Sequence, residues 1–96
     1  MCGLYDFQMI EKIFKIKNKL GLHARPAAMF VQNVGKYESK VTLVKNSKKV
    51  DGKSILGVMM LAAEFDSDLK VIVEGPDEKE VLDEIQTMIE NKFDEE

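Results

Sequence analysis

A change of hydrophobic period, repeated along 96 residues, limits the folds open to this chain more than any other feature. Phe14 and Ile16 alternate with Lys15 and Lys17, a period of two that predicts a half-buried strand over roughly Glu11–Asn18. Gly21 breaks that run. Pro26 suits the first turn of a helix, where its missing N–H leaves no bond unmade, and Ala27, Phe30, Val31 and Val34 follow at helical spacing up to Gly35. Val41 and Leu43 alternate again, and Asn46-Ser47 reads as a hairpin turn leading to a short strand near Lys49-Val50. Ser54 is placed to cap a helix running through Ile55, Val58, Met59 and Ala62. Leu69, Val71 and Val73 form a last strand ended by Gly75-Pro76. Asp77 and Glu80 read as a capping pair for a third helix with Val81, Leu82, Ile85, Met88 and Ile89 as its apolar stripe. The order β-α-β-β-α-β-α predicts an α+β open-faced sandwich, one sheet covered on one face by the helices, which buries every apolar stripe at once.

This length predicts one domain with a small core, over residues 9–96, preceded by an extension at residues 1–8. Residues 1–8 precede the first periodic strand, and Leu4, Tyr5 and Phe7 are the residues by which they could pack. The chain has no Trp, so Ile, Leu, Val, Met and a few Phe must build the core.

A net charge of -3 argues against a dedicated nucleic-acid binder, which needs a basic surface to displace counterions. Lys12, Lys15, Lys17 and Lys19 are read as a solvated sheet face. One cysteine, Cys2, excludes an internal disulfide. No apolar run approaches the about 20 residues that span a bilayer, and Met1 to Ile10 lack the pattern of a secretory signal, so a cytoplasmic location is expected. One His and one Cys far apart form no metal-ligand cluster, and no cofactor is expected. Asp77, Glu78, Glu80, Asp83 and Glu84 read as the solvated face of the third helix.

Two segments could carry chemistry. The single histidine lies in Gly-Leu-His-Ala-Arg-Pro-Ala at 21–27, at or just before a helix start. Free amides and the positive end of the helix dipole stabilise an anion there. Arg25 adds a permanent cation shaped for phosphate oxygens. An imidazole is nucleophilic near neutral pH, so His23 could hold a phosphoryl group through a reactive P–N bond. Residue types alone leave open the plainer reading, a helix N-terminus that contains His and Arg. The second segment, Gly-Lys-Ser-Ile-Leu-Gly-Val-Met at 52–59, ends like a P-loop, but Ser47 stands where the first P-loop glycine belongs. What remains is a hydroxyl at a helix start, followed by Ile55, Leu56, Met59 and Met60, which cannot all pack on the sheet. An exposed Leu and Met patch suits a partner surface; a greasy core helix is the plainer alternative.

Together, in this order and separation, the two segments resemble the histidine-containing phosphocarrier (HPr) family of the bacterial phosphoenolpyruvate-dependent sugar phosphotransferase system, over about Phe14 to Phe93. The resemblance implies a four-stranded antiparallel sheet covered by three helices. It implies that His23 accepts phosphate from enzyme I through Nδ1, the pros nitrogen, with Arg25 beside it, and that Ser54 is a regulatory phosphorylation site for an ATP-dependent HPr kinase/phosphorylase. Ile55, Leu56 and Met59, with Ala28 on the first helix, match the family's docking surface. The implied acceptors are the A components of enzymes II; the chain would be a carrier rather than a stand-alone catalyst. Two other roles fit the same resemblance: a regulatory phosphorelay in nitrogen or carbon control, and a binding adaptor that meets a transcriptional regulator, as corepressor, when Ser54 is phosphorylated. The family often has Gly where Ala62 and Asp66 stand, and Ser where Met60 stands.

Overall fold

The computed structural model describes residues 9–95; the extension expected at residues 1–8 lies outside the described residues. Four strands, β1 (Met9–Lys15), β2 (Lys40–Lys45), β3 (Lys48–Asp51) and β4 (Asp68–Glu74), alternate with α1 (Ala24–Val34), α2 (Ile55–Met60) and α3 (Glu78–Glu90), and a 3-10 turn follows at Lys92–Asp94. The strands form one antiparallel sheet in the order β1-β4-β2-β3. This is the α+β open-faced sandwich that the alternation of periods predicts.

The period-two residues meet across the sheet on one face. Val41 pairs with Val73 and Leu43 with Val71, and all four are fully buried. Phe30 and Val34 of α1 and Val81, Ile85 and Ile89 of α3 close the same core. The other face is open, and Ile13 is 60% exposed there.

Several boundaries differ from the sequence reading for identifiable reasons. The first strand stops at Lys15 because its partner β4 begins at Asp68, opposite it. Ile16 remains in the core but bonds the turn instead, donating to the Ser67 carbonyl and accepting from the Asp66 amide. Lys17 and Lys19 therefore lie on the connecting loop, not on a sheet face. Helix α2 ends at Met60, because Ala62 adopts a left-handed backbone (φ 54°) that turns the chain and buries Leu61 and Ala63 on either side. The Asn46-Ser47 turn has φ of 50° and 72°, the left-handed pair that suits a two-residue hairpin.

The expected capping pair is not formed. Asp77 stands at the N-cap of α3 without a side-chain cap bond. Its carboxylate instead accepts from the Glu38 amide, the Ser39 amide and the Ser39 hydroxyl, at 2.9, 2.9 and 2.5 Å, fixing the end of the α1–β2 loop. These donors hold the Asp77 carboxyl below the usual range, the Ser39 hydroxyl most strongly. Nor are the acids of α3 a uniformly solvated face: Glu78 is buried, and Glu84 accepts the Tyr37 hydroxyl at 2.9 Å.

Candidate functional site

His23 is the N-cap of α1, with extended backbone (φ -80°, ψ -167°) and no cap bond from its own side chain. The approach to it is built by two tight contacts. The Gly21 φ is 69°, and a Cβ there would collide with the Ala63 carbonyl oxygen and lie 2.8 Å from the Glu64 Cα, so glycine is required on steric and conformational grounds. The Leu22 amide then donates to the Ala63 carbonyl at 2.8 Å and the His23 amide to Gly21 O at 3.0 Å. His23 is thus delivered to the helix end by backbone tied to the turn after α2. Pro26, the third helical residue, is buried, and Arg25 just before it is exposed.

The His23 side chain is 37% exposed, and its Nε2 lies 2.9 Å from Glu95 Oε2. Asn18, itself 1% exposed, donates from Nδ2 to Glu95 Oε1 at 2.9 Å and to the Gly21 carbonyl at 2.7 Å. The Asn18 hydrogen bond, with smaller help from His23 and the Arg25 charge, holds the Glu95 carboxyl below its usual range against its own desolvation. An ionised carboxylate only accepts, so Nε2 is the donor and carries the proton; in the neutral ring Nδ1 then keeps its lone pair.

Neither Asn18 nor Glu95 stands out in the sequence. An Asn before a glycine turn is a weak local signal, and nothing in a terminal acidic run tells which carboxylate folds back 72 residues to a histidine.

The apolar residues after Ser54 are outside the core. Ile55, Leu56, Met59 and Met60 are 42%, 67%, 38% and 61% exposed, and Val58 is the residue that α2 buries. Met59 and His23 line one shallow depression with Leu20 and Leu22. Leu20, 73% exposed and lining that same depression, extends the apolar surface beyond the residues that the sequence pattern marked. Ala28 is half-buried on α1. Ser54 is the N-cap of α2, its Oγ accepting the Gly57 amide at 3.0 Å. Lys53, the residue a P-loop would aim at phosphates, donates to the Tyr37 carbonyl at 2.7 Å.

Among the described residues there is no His, Cys, Asp or Glu cluster able to hold a metal ion, and no helix is long and apolar enough to cross a membrane.

The sequence holding this histidine and the apolar patch beside it is matched by a family model described as the PTS HPr component phosphorylation site, over residues 10–91. The chain belongs to the HPr family. The phosphocarrier protein HPr of Treponema pallidum is 46% identical over 88 residues, covering 92% of this chain and all of that protein. The HPr-like protein Crh of Halalkalibacterium halodurans is 43% identical over 84 residues, covering 88% of this chain and all of that one. Among solved structures, HPr from Thermoanaerobacter tengcongensis superposes with a TM-score of 0.87 at 46% identity, covering 91% of this chain and 98% of its own. HPr relatives and Crh relatives therefore both stand close to this chain, and the resemblance read from the two motifs is confirmed at the level of the family.

Proposed function

We propose that this chain is a phosphocarrier that takes a phosphoryl group from phosphorylated enzyme I onto His23 Nδ1 and passes it to the A components of enzymes II. The observation that supports this best is the N-cap position of His23, with Nε2 engaged and Nδ1 left as the nucleophile at the positive end of α1. The Nδ1 lone pair forms the new N–P bond as the donor N–P bond breaks and its electron pair returns to the donor. The first-turn amides of α1 and the Arg25 guanidinium stabilise the phosphoryl oxygens. Transfer onward reverses the same step with a different partner. The protein supplies no substrate cavity; the exposed Ile55, Leu56 and Met59 surface, with Ala28, docks the partners that bring donor and acceptor to His23. This chemistry belongs in the cytoplasm, where phosphoenolpyruvate is made and used.

A second reading has its own support. Crh relatives at 43% and 38% identity, together with Ser54 at an accessible helix N-cap, favour a regulatory role in which an HPr kinase phosphorylates Ser54 and the product binds a transcriptional regulator. A phosphorelay that uses His23 for nitrogen or carbon control belongs with it.

Passage of label separates these readings. Protein phosphorylated on His23 and mixed with purified A components should lose its phosphoryl group to at least one sugar-specific component. Retention of the label by the carrier with every sugar-specific component, and loss only to a regulatory one, would contradict the transport reading.

A further inference from the structure

The described residues that follow α3 fold back to the His23 site, and this gives one of them a part in the chemistry; the inference rests on the reading of His23 as phosphoryl acceptor. After α3, Lys92, Phe93 and Asp94 take successive left-handed conformations, φ 54°, 54° and 61°, around a Phe93 side chain that is 2% exposed. That anchored turn returns Glu95 to the loop before α1. Its two oxygens are divided, Oε1 to Asn18 and Oε2 to His23. Asn18 is buried and also bonds Gly21, so the carboxylate is held by the loop that delivers the histidine. The family match ends at residue 91 and does not include Glu95.

We propose that Glu95 is a positioning residue for phosphoryl transfer: held by Asn18, it fixes His23 as the Nε2–H tautomer and pairs with the positive charge the ring gains when Nδ1 is phosphorylated. The step balances without moving a proton. The donor, a phosphorylated imidazole or a small N-phosphate, loses its N–P bond and takes back that electron pair, while Nδ1 of neutral His23 gives its pair to phosphorus. The His23 ring, still protonated at Nε2, becomes a phosphoimidazolium whose charge faces Glu95 Oε2. When the group leaves, the pair returns to Nδ1 and the ring is neutral again. The hydrogen bond that one ring nitrogen makes to a carboxylate or a backbone carbonyl is what fixes a histidine tautomer, and here the buried Asn18 amide orients that carboxylate.

The test uses the full chain with Glu95→Ala, Glu95→Gln and Glu95→Asp. Imidazole 15N shifts report the His23 tautomer without any partner, and phosphoramidate serves as a small donor that needs no docking surface. Wild type is expected as Nε2–H alone and Glu95→Ala as a mixture of tautomers. Phosphorylation by phosphoramidate is expected to slow roughly tenfold in Glu95→Ala and Glu95→Gln, with partial recovery in Glu95→Asp, in protein that circular dichroism shows to be folded. Equal tautomer populations and rates in wild type and Glu95→Ala, with His23 still phosphorylated, would overturn the positioning role alone. A Glu95-dependent tautomer in a wild-type protein that no donor phosphorylates would overturn the carrier reading, and with it the charge pairing.

Discussion

Ser54 caps α2 through Gly57: its Oγ accepts the Gly57 amide at 3.0 Å, one residue before the exposed Ile55 and Leu56. Ser54→Ala removes that cap and should lower stability by about 1 kcal/mol in urea unfolding. Ser54→Asp keeps an acceptor at the helix start, so its stability should stay near wild type. Its charge, however, sits at the edge of the docking surface, and phosphorylation of His23 by enzyme I should slow. Equal rates for wild type, Ser54→Asp and Ser54→Ala would leave Ser54 as a cap and nothing more.

Arg25 is exposed in the first turn of α1, so its removal should spare the fold and impair transfer. Arg25→Ala should change stability by no more than about 0.5 kcal/mol. Loss of charge-assisted bonds to phosphate, worth roughly 1.5–3 kcal/mol, should slow both acceptance and donation at least tenfold. Stopped-flow measurement in the two directions checks this, and unchanged rates in both would make Arg25 a surface residue.

Asp77 ties α3 to the α1–β2 loop through Ser39 and Glu38. Because its carboxyl is held below the usual value, the folded state gains from it above that value and loses the gain as the pH falls through the lowered one. Asp77→Ala should therefore melt below wild type at pH 6, and the gap should close as the pH drops below the ordinary Asp value of 3.8. A gap that stays constant from pH 6 to pH 2.5 would show that the ionised carboxylate is not what matters.

Ala62 and Asp66 hold φ of 54° and 69°, a region that disfavours side chains with a Cβ. Ala62→Gly and Asp66→Gly should each stabilise the protein, by roughly 0.5 kcal/mol once the greater freedom of glycine in the unfolded chain is counted. Both residues are exposed, so little packing is lost in exchange. Chemical denaturation of the two variants gives the sign directly.

These same two positions show what the sequence does and does not reveal. The apolar periods of Val41 and Leu43, Val71 and Val73, and Val81 and Ile85 specify sheet, helices and their common face, since a period read from local residues is a statement about burial. The extra left-handed turn that ends α2 at Met60 was hidden, because no glycine marks it. Asp77 has the residue type of a helix cap, and only the fold shows that Ser39 and Glu38, nearly 40 residues away, compete for it and win. At the site, His23, Arg25 and Ser54 were legible as motifs because a helix N-terminus, an anion and a cation are neighbours in sequence. Glu95 meets Asn18 and His23 only through tertiary folding, and local residue types carry no trace of such a contact.

The central claim is that His23 carries the phosphoryl group. Intact-mass spectrometry of wild type and His23→Ala after incubation with phosphoenolpyruvate and enzyme I tests it most directly, with circular dichroism to confirm that both are folded. The account predicts one added phosphoryl group on wild type, labile in acid and stable in base, and none on His23→Ala; an unmodified wild type, or the same addition on the mutant, would contradict it.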